Sequence, residues 1–186
     1  MESLVIFTAV DGVVGTSEGD ASAATAQRVI DSLCDLEVPI IFVTERPAAE
    51  MLRFQEQLAI RHPFIAGGGA ALYVPTDYFP GLLETATDAE PGWKVLEVAA
   101  RSGDPGDAVR FLMALYRFNG DSMLFVGLGE DWKHRALLRA VDVSVVVRND
   151  GIDQVRLLRS IPEAYLTAAA GADGWAEAIL GGGRLD

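Results

Sequence analysis

Short apolar runs alternate with segments of helical periodicity along most of this 186-residue chain. Five runs have the length and near-continuous apolar character of strands buried on both faces of a sheet: residues 4–8, 39–44, 63–66, 122–127 and 143–147. Apolar residues at helical spacing predict five helices. They cover residues 20–36, a segment that begins near Pro47, residues 107–118, a segment that follows the loop LGEDW and ends at residue 141, and residues 172–180. Because buried strands separated by helices form parallel sheets, the sequence predicts an α/β fold with a mainly parallel sheet and helices on both faces.

Residues 75–106 break this alternation. They are rich in proline, glycine and acidic residues, which predicts irregular structure with one strand at 93–99. Residues 70–74 follow the glycines of AGGG and are expected to form a hairpin with the run at 63–66. A short last strand is predicted at 164–167 and a frayed tail at 181–186. The length suits one domain over residues 1–186.

Composition limits the classes of partner that the protein is expected to bind and the cellular compartment in which it is expected. The formal charge of −12 repels phosphate backbones and anionic lipids, so neither nucleic acid nor membrane is an expected partner. The chain has no secretory signal and no apolar run of membrane-spanning length. Its single cysteine, Cys34, lies on the apolar face of a predicted helix and is expected to be a buried thiol. Together these features predict a cytoplasmic protein.

The strand ends are where a functional site is expected, because ligands of open parallel sheets bind beyond the carboxyl ends of the strands. The residues to consider are therefore 9–13, 44–46, 66–69 and 127–134. At the first of these ends an apolar run stops at Ala9 and is followed by Asp11 and Gly12. The segment looks like the end of a strand that would carry a catalytic residue, but it has only one carboxylate, Asp11.

The segment FTAVDGVVG resembles FTDLDGTLL, the first motif of haloacid dehalogenase superfamily phosphatases. Four further segments, in the same order along the chain, resemble mannosyl-3-phosphoglycerate phosphatases: VPIIFVTERPAAEM, RHPFIAGGGAALYVPTDYF, DPGDAVRFLMALY and FVGLGEDWKHRALLRAVDVSVVVRNDG. The resemblance implies a Rossmann-like core. It also implies a mechanism in which one aspartate attacks phosphorus and a second, two residues on, is general acid and base. A hydroxyl and a lysine hold the phosphoryl group, and carboxylates hold Mg²⁺.

Most of these groups are changed here. The resemblance aligns the nucleophile with Ala9, the acid/base with Asp11, the phosphate-binding hydroxyl with Thr44, the lysine with Pro105, and the two later metal-holding positions with Glu130 and His134. A methyl group can neither attack phosphorus nor bind magnesium. We therefore expect a vestigial site, no cofactor, and a catalytically inactive pseudophosphatase with a binding, regulatory or assembly role.

Two other functions stay open from the sequence. One is a weak Mg²⁺-dependent phosphomonoester hydrolase that uses Asp11, Glu130 or Asp131 in altered roles. The other is a non-catalytic sensor that binds a phosphorylated metabolite through Asp11, Thr44 and Arg46, although Thr44 could instead cap a helix and Arg46 could pair with an acid. Glu130, Asp131 and His134 could form a new metal site. Alternatively, they could cap the N-terminus of the following helix and complement the positive end of its dipole.

The cap of the resembled family has little room in this chain. Residues 75–103 are too short for a cap domain, so the cap is expected to be absent or vestigial. Its loss is expected to uncover an apolar surface that would favour a protein partner or a homo-oligomer, formed by Tyr73, Tyr78, Phe79, Leu82 and Leu83. Trp132, in the former active-site loop, is expected to fill the vacated cleft.

Overall fold

The computed structural model describes residues 3–14, 21–98, 104–119 and 122–181. Within them, nine strands form one sheet: Ser3–Ala9 (β1), Ile40–Val43 (β2), Phe64–Ala66 (β3), Ala71–Pro75 (β4), Thr87–Asp88 (β5), Trp93–Glu97 (β6), Met123–Gly129 (β7), Val143–Arg148 (β8) and Tyr165–Ala170 (β9). The helices are Ala21–Asp35 (α1), Ala48–Gln57 (α2), Pro105–Asn119 (α3), Arg135–Leu138 (α4), Val155–Ser160 (α5) and Gly171–Leu180 (α6). Two 3₁₀ turns cover Gly67–Gly69 and Trp132–His134.

The sheet has the order β5-β6-β4-β3-β2-β1-β7-β8-β9. Strands β3, β2, β1, β7, β8 and β9 are parallel, while β4, β6 and β5 extend one side in antiparallel pairs. Helix α1 is in contact with α6, and α3 is in contact with α4. The predicted α/β class with a mainly parallel sheet is confirmed.

The core is built on β1. Its last five residues, from Val5 to Ala9, are buried, as expected for a central strand covered by helices on both faces. Trp175 of α6 is fully buried, and its indole N–H donates to the Thr8 hydroxyl at 3.1 Å, so the last helix is fixed to the first strand. None of the helices in the described part of the chain is long and apolar enough to cross a membrane.

The segment after β4 differs from the prediction. Residues 75–98 contain two strands rather than one, and β6 pairs along the whole of β4, so this segment extends the main sheet. Phe79 and Leu83, which were expected to be uncovered, are only 2% and 4% exposed, and Tyr73, Tyr78 and Leu82 are partly buried. The expected apolar patch is therefore largely covered by the chain itself, because the short segment folds back onto the core.

Several smaller differences have local causes. Helix α3 begins at Pro105, two residues earlier than predicted, because proline is tolerated in a first helical turn. The helix after β7 is one short helix following a 3₁₀ turn, and α5 was not predicted. Cys34 is exposed rather than buried, at the end of α1. Of the predicted frayed tail, residues 182–186 lie outside the described residues.

Candidate functional site at the strand ends

Parallel register brings the predicted site residues to one edge of the sheet. Ala9 pairs with Val43, so the ends of β1 and β2 are level, and Thr44 follows directly. Thr8 pairs with Leu128 of β7, so the loop that begins at Glu130 starts at the same edge. The sheet therefore places the ends of β1, β2 and β7 around one cleft, as expected for this class of fold.

Ala9 offers the cleft no functional group. It is fully buried, and its backbone carbonyl accepts a hydrogen bond from the Thr8 hydroxyl at 3.0 Å. The methyl side chain belongs to the hydrophobic core. The side chain aligned with the nucleophile thus contributes packing and neither charge nor a lone pair.

Asp11, Thr44 and Arg46 do come together, but they bind one another. Asp11 Oδ1 accepts from Arg46 Nη2 at 2.6 Å and from Nε at 2.7 Å, and Asp11 Oδ2 lies 3.3 Å from the donating Thr44 hydroxyl. The Thr44 hydroxyl in turn accepts from the backbone N–H of Arg46 at 3.0 Å. Arg46 therefore neutralises Asp11 inside the cleft, which is the pairing that the sequence left as an alternative to anion binding.

Glu130 connects two loops from the bottom of the site. Its side chain is buried, Oε2 accepts from Asn149 Nδ2 at 2.9 Å, and its backbone carbonyl accepts from Gln154 Nε2 at 2.7 Å. The carboxylate lies directly against Gly12, where a Cβ would be 1.7 Å from Oε1, and the backbone φ of +79° also favours glycine there. Burial raises the pKa of the Glu130 carboxyl, although the bond from Asn149 acts in the opposite direction.

His134 caps the turn that follows β7. Its Nδ1 accepts from the backbone N–H groups of Glu130 at 3.1 Å and Asp131 at 3.3 Å, while the Asp131 side chain accepts from the Trp132 N–H. Burial, with the nearby Lys133 ammonium, lowers the pKa of His134 to about 4. The imidazole is thus neutral at ordinary pH, and the Asp131–His134 arrangement is a reciprocal capping box.

The position aligned with the family's lysine carries no cation. Pro105 opens α3 and packs on the glycine turn, so closely that a Cβ on Gly69 would lie 2.3 Å from its Cα. The cleft does contain one ammonium, from the loop after β7: Lys133 Nζ lies 3.9 Å from Glu45 Oε2. Lys133 was not among the site residues predicted from the sequence.

These residues surround a pocket of about 270 Å³, lined by Asp11, Val43, Thr44, Glu45, Gly68, Pro105, Lys133, His134 and Leu137. Its charges are matched in pairs, Asp11 with Arg46 and Glu45 with Lys133. Trp132 does not fill it, contrary to expectation. The indole is 36% exposed and stacks under the guanidinium of Arg156, because the capping box turns this side chain away from the cleft.

The donor set does not fit magnesium. Mg²⁺ needs several oxygen ligands in octahedral geometry. Ala9 supplies none, the Asp11 carboxylate is paired with a guanidinium, and Glu130 is held against Gly12 and Asn149. Across the described ranges, no group of three His, Cys, Asp or Glu side chains is placed to hold a metal ion.

Asn149 and Gln154 are the site residues that the sequence analysis missed. They follow β8, the one central strand end that was not considered, and Gln154 also donates to the carbonyl of Val147 at 2.8 Å. The run Arg148-Asn149-Asp150-Gly151 after an apolar strand was the available signal, since Asn, Asp and Gly are typical of loops that begin at a strand end.

Solved structures with the same fold come from several phosphatases and related proteins. A protein from Thermoplasma acidophilum superposes with a TM-score of 0.66 at 9% identity, over 97% of this chain and 98% of that one. The sucrose-phosphatase of Synechocystis, solved with sucrose and phosphate, superposes with a TM-score of 0.64 at 14% identity, over 97% of this chain and 98% of that one. A haloacid dehalogenase-like hydrolase from Bacteroides thetaiotaomicron gives 0.63 at 11% identity, over 97% and 99%. The fold is that of the haloacid dehalogenase-like phosphatases.

Sequence similarity agrees with the fold. The chain is 35% identical over 75 residues to the glucosyl-3-phosphoglycerate/mannosyl-3-phosphoglycerate phosphatase of Methanococcoides burtonii, a match that covers 40% of this chain and 27% of that protein. It is 28% identical over 96 residues to the mannosyl-3-phosphoglycerate phosphatase of Pyrococcus furiosus, covering 50% and 39%. No protein-family model matches the chain. Both the fold and the matched sequence segments are therefore similar to those of the haloacid dehalogenase superfamily.

Within that superfamily the chain is similar to the mannosyl-3-phosphoglycerate phosphatases. The matched segments span less than two fifths of the length of the two relatives named above.

Proposed function

We propose that this chain is a pseudophosphatase: a phosphatase-like protein that does not turn over phosphate esters and that acts through binding. The observation that supports this most is the buried methyl group of Ala9 at the end of β1. A phosphoryl group would need an attacking oxygen at that point, and the strand end has none to offer.

The environment of Asp11 supports the same proposal. A general acid must give its proton to a leaving group, yet both Asp11 oxygens already accept hydrogen bonds, from Arg46 and from Thr44. Neighbouring side chains of the protein therefore occupy both oxygens that would have to face a leaving group. The Glu45 carboxylate at the rim pairs with Lys133, so it competes with a phosphate monoester for that ammonium group.

The competing function is a weak phosphomonoester hydrolase. It is favoured by the names of the similar relatives and by the retained Asp11. A colorimetric assay with p-nitrophenyl phosphate and Mg²⁺, run on the wild-type protein and on Asp11→Asn purified in the same way, separates the two functions. We expect both proteins to give the same background rate. A wild-type rate that exceeds the background and is abolished by the substitution would overturn the pseudophosphatase.

A third function, sensing of a phosphorylated metabolite, has one specific observation in its favour. The 270 Å³ pocket is lined by Thr44, which carries a hydroxyl group, and by Lys133, which carries an ammonium group. Thermal unfolding in the presence of a panel of phosphosugars tests it, because a ligand that binds only the folded state raises the unfolding midpoint. We expect no shift, since Glu45 already pairs with Lys133.

The binding role includes a protein partner. The apolar residues after β3 that were expected to form that interface are largely covered. The partner is therefore expected to bind another surface of the molecule. A cytoplasmic location and the absence of nucleic-acid and membrane partners stay predictions.

A further inference from the structure

Two loops beside the cleft are joined by a stack of the exposed Trp132 and Arg156 with the half-buried Arg135. The Arg156 guanidinium carbon, at the start of α5, lies 3.6 Å from the centroid of the Trp132 ring, and that of Arg135 lies 5.1 Å from it. Trp132 and Arg135 follow β7, whereas Arg156 follows β8. The cation–π contacts therefore hold together side chains from two separate strand ends.

The guanidinium groups in this stack have no acidic partner among the described residues. The ion pairs of the described ranges involve other arginines and lysines, at Arg46, Arg61, Lys94, Arg110, Arg117, Lys133 and Arg148. The Nε of Arg135 is buried and has no hydrogen-bond partner, so it is not one of the donors that a ligand can reach. Stacking engages the face of a guanidinium and leaves its in-plane N–H donors available, and those donors match the two oxygens of a carboxylate.

Exposed apolar side chains lie close to Arg156 in the sequence. Ile152 and Val155, within four residues of Arg156, are 37% and 50% exposed, and Trp132 itself is 36% exposed. Tryptophan and arginine are the residues most enriched at energetically dominant positions of protein interfaces. We call Trp132, Arg135, Ile152, Val155 and Arg156 the tryptophan–arginine surface.

The loops that carry this surface are fixed from below. Glu130 accepts from Asn149 and from Gln154, and the Gln154 side-chain oxygen accepts from the Asn149 backbone N–H at 3.1 Å. Glu130 aligns with a metal-holding carboxylate of the resembled family, and here it joins two loops instead. A surface held in this way loses little conformational entropy when it binds, which favours affinity.

We propose that the tryptophan–arginine surface binds an acidic segment of a partner protein, with carboxylates on Arg156 and Arg135 and an apolar side chain against Val155 and Ile152. This proposal rests on the binding role proposed above and names the chemistry of the partner. A short acidic peptide fits better than a nucleic acid, because two unpaired cations on a chain of formal charge −12 are too few for a polyphosphate.

Fluorescence anisotropy with a fluorescein-labelled peptide of alternating glutamate and leucine tests the proposal directly. We expect binding at about 0.05 M salt that weakens at about 0.5 M, because screening acts on exposed charges. Arg156→Gln should weaken binding about tenfold, the size expected for one charge-assisted bidentate contact, and Arg156→Glu should abolish it. The matched control is Arg53→Gln, an exposed arginine on α2, which packs beside β3 rather than β8; it should bind like the wild type.

Four results would overturn the proposal. The first is that a wild-type protein with a normal unfolding transition does not bind the peptide, and the second is that a peptide with glutamine in place of glutamate binds equally well. The third is that Arg53→Gln loses as much affinity for the peptide as Arg156→Gln does. The fourth is that an oligonucleotide binds more tightly than the peptide at the same surface. Sedimentation of wild type and Arg156→Gln adds a fifth, since self-association lost in the variant would assign the surface to a second copy. The phosphatase assay is independent, so a failure here and a failure of the proposed function are distinguishable.

Discussion

At the scale of single residues, Ala9 decides what this cleft can do. It is fully buried in the central strand, beside a carboxylate that is already paired with Arg46. Restoring the family's aspartate by Ala9→Asp would place an unpaired charge in a packed environment. We expect a loss of about 2–3 kcal/mol in the free energy of unfolding and no phosphatase activity, because Pro105 supplies no balancing cation.

Urea unfolding and a phosphatase assay of Ala9→Asp measure both outcomes. Ala9→Asn is the control, since it has the same volume without the charge and should lose less stability. An aspartate variant as stable as the asparagine variant and active with Mg²⁺ would show that the rest of the catalytic site is intact.

His134 gives a pH dependence with a definite sign. Its pKa is about 4 in the folded protein against about 6.5 unfolded, so between these values the unfolded state binds more protons. Stability therefore falls as the pH drops from about 6.5 to about 4, by up to about 3 kcal/mol. Protonation also removes the Nδ1 acceptor used by the N–H groups of Glu130 and Asp131.

His134→Asn isolates this effect, because the asparagine side-chain oxygen can take the place of Nδ1 without titrating. The measurement is the difference in unfolding free energy between wild type and variant from pH 4 to 7. Glu130 acts in the opposite direction, since its pKa is raised, but it is present in both proteins. We expect the difference to change by about 3 kcal/mol over this range; parallel profiles would contradict the assignment.

At the scale of elements, the segment between β4 and β6 is held to the core by buried tyrosines. The Tyr78 hydroxyl lies 2.9 Å from the Tyr116 hydroxyl of α3 and 3.1 Å from His62 Nδ1. Burial raises the pKa of Tyr116 well above its usual value, so this hydroxyl stays neutral and needs its hydrogen bond. The segment covers apolar core that would otherwise face water.

Tyr78→Phe tests this docking. It leaves the buried Tyr116 hydroxyl without its partner, and we expect a cost of about 1–2 kcal/mol in chemical denaturation. Tyr73→Phe is the matched control, because Tyr73 stacks on Phe64 and has no comparable hydroxyl contact among the described residues. Equal effects of the two substitutions would mean that ring packing alone holds the segment.

The elements that the sequence predicted are those with a clear periodic signal. Strands such as β1 and β8 are continuous apolar runs between turns, and α1 and α3 are long enough for helical spacing to be visible. Helix α5 has six residues, fewer than two turns, so its pattern cannot be distinguished from a loop. Strand β6 was predicted at 93–99, whereas the two-residue strand β5 lies among prolines and glycines and was missed. The pairing of β6 with β4 could not be predicted, because it depends on contacts between segments that are separate in the sequence.

The sequence predicted which residues lie at the site better than it predicted which of them bind one another. Asp11, Thr44 and Arg46 all follow from strand ends, but the choice of Asp11 as the partner of Arg46 depends on the alignment of β1 with β2. The bond between Glu130 and Asn149 likewise depends on the pairing of β7 with β8. Contacts of this kind are set by tertiary register, which no local pattern encodes.

At the scale of the whole molecule, the superfamily fold is complete around a cleft whose charges neutralise one another. The ends of β1, β2, β7 and β8 still converge, yet their polar groups bind neighbouring loops rather than leave a site for metal and phosphate. The same reorganisation fixes the exposed stack of Trp132 and Arg156 beside the cleft. Together these features support a protein that uses a phosphatase scaffold for recognition.

The central claim is that no side chain of this protein accepts a phosphoryl group. The most direct measurement is intact-protein mass spectrometry after rapid acid quenching, with the protein incubated with acetyl phosphate and Mg²⁺. The account predicts an unchanged mass for the wild type at every quench time. A transient species heavier by one phosphoryl group, formed and lost as the phosphate donor is consumed, would contradict it.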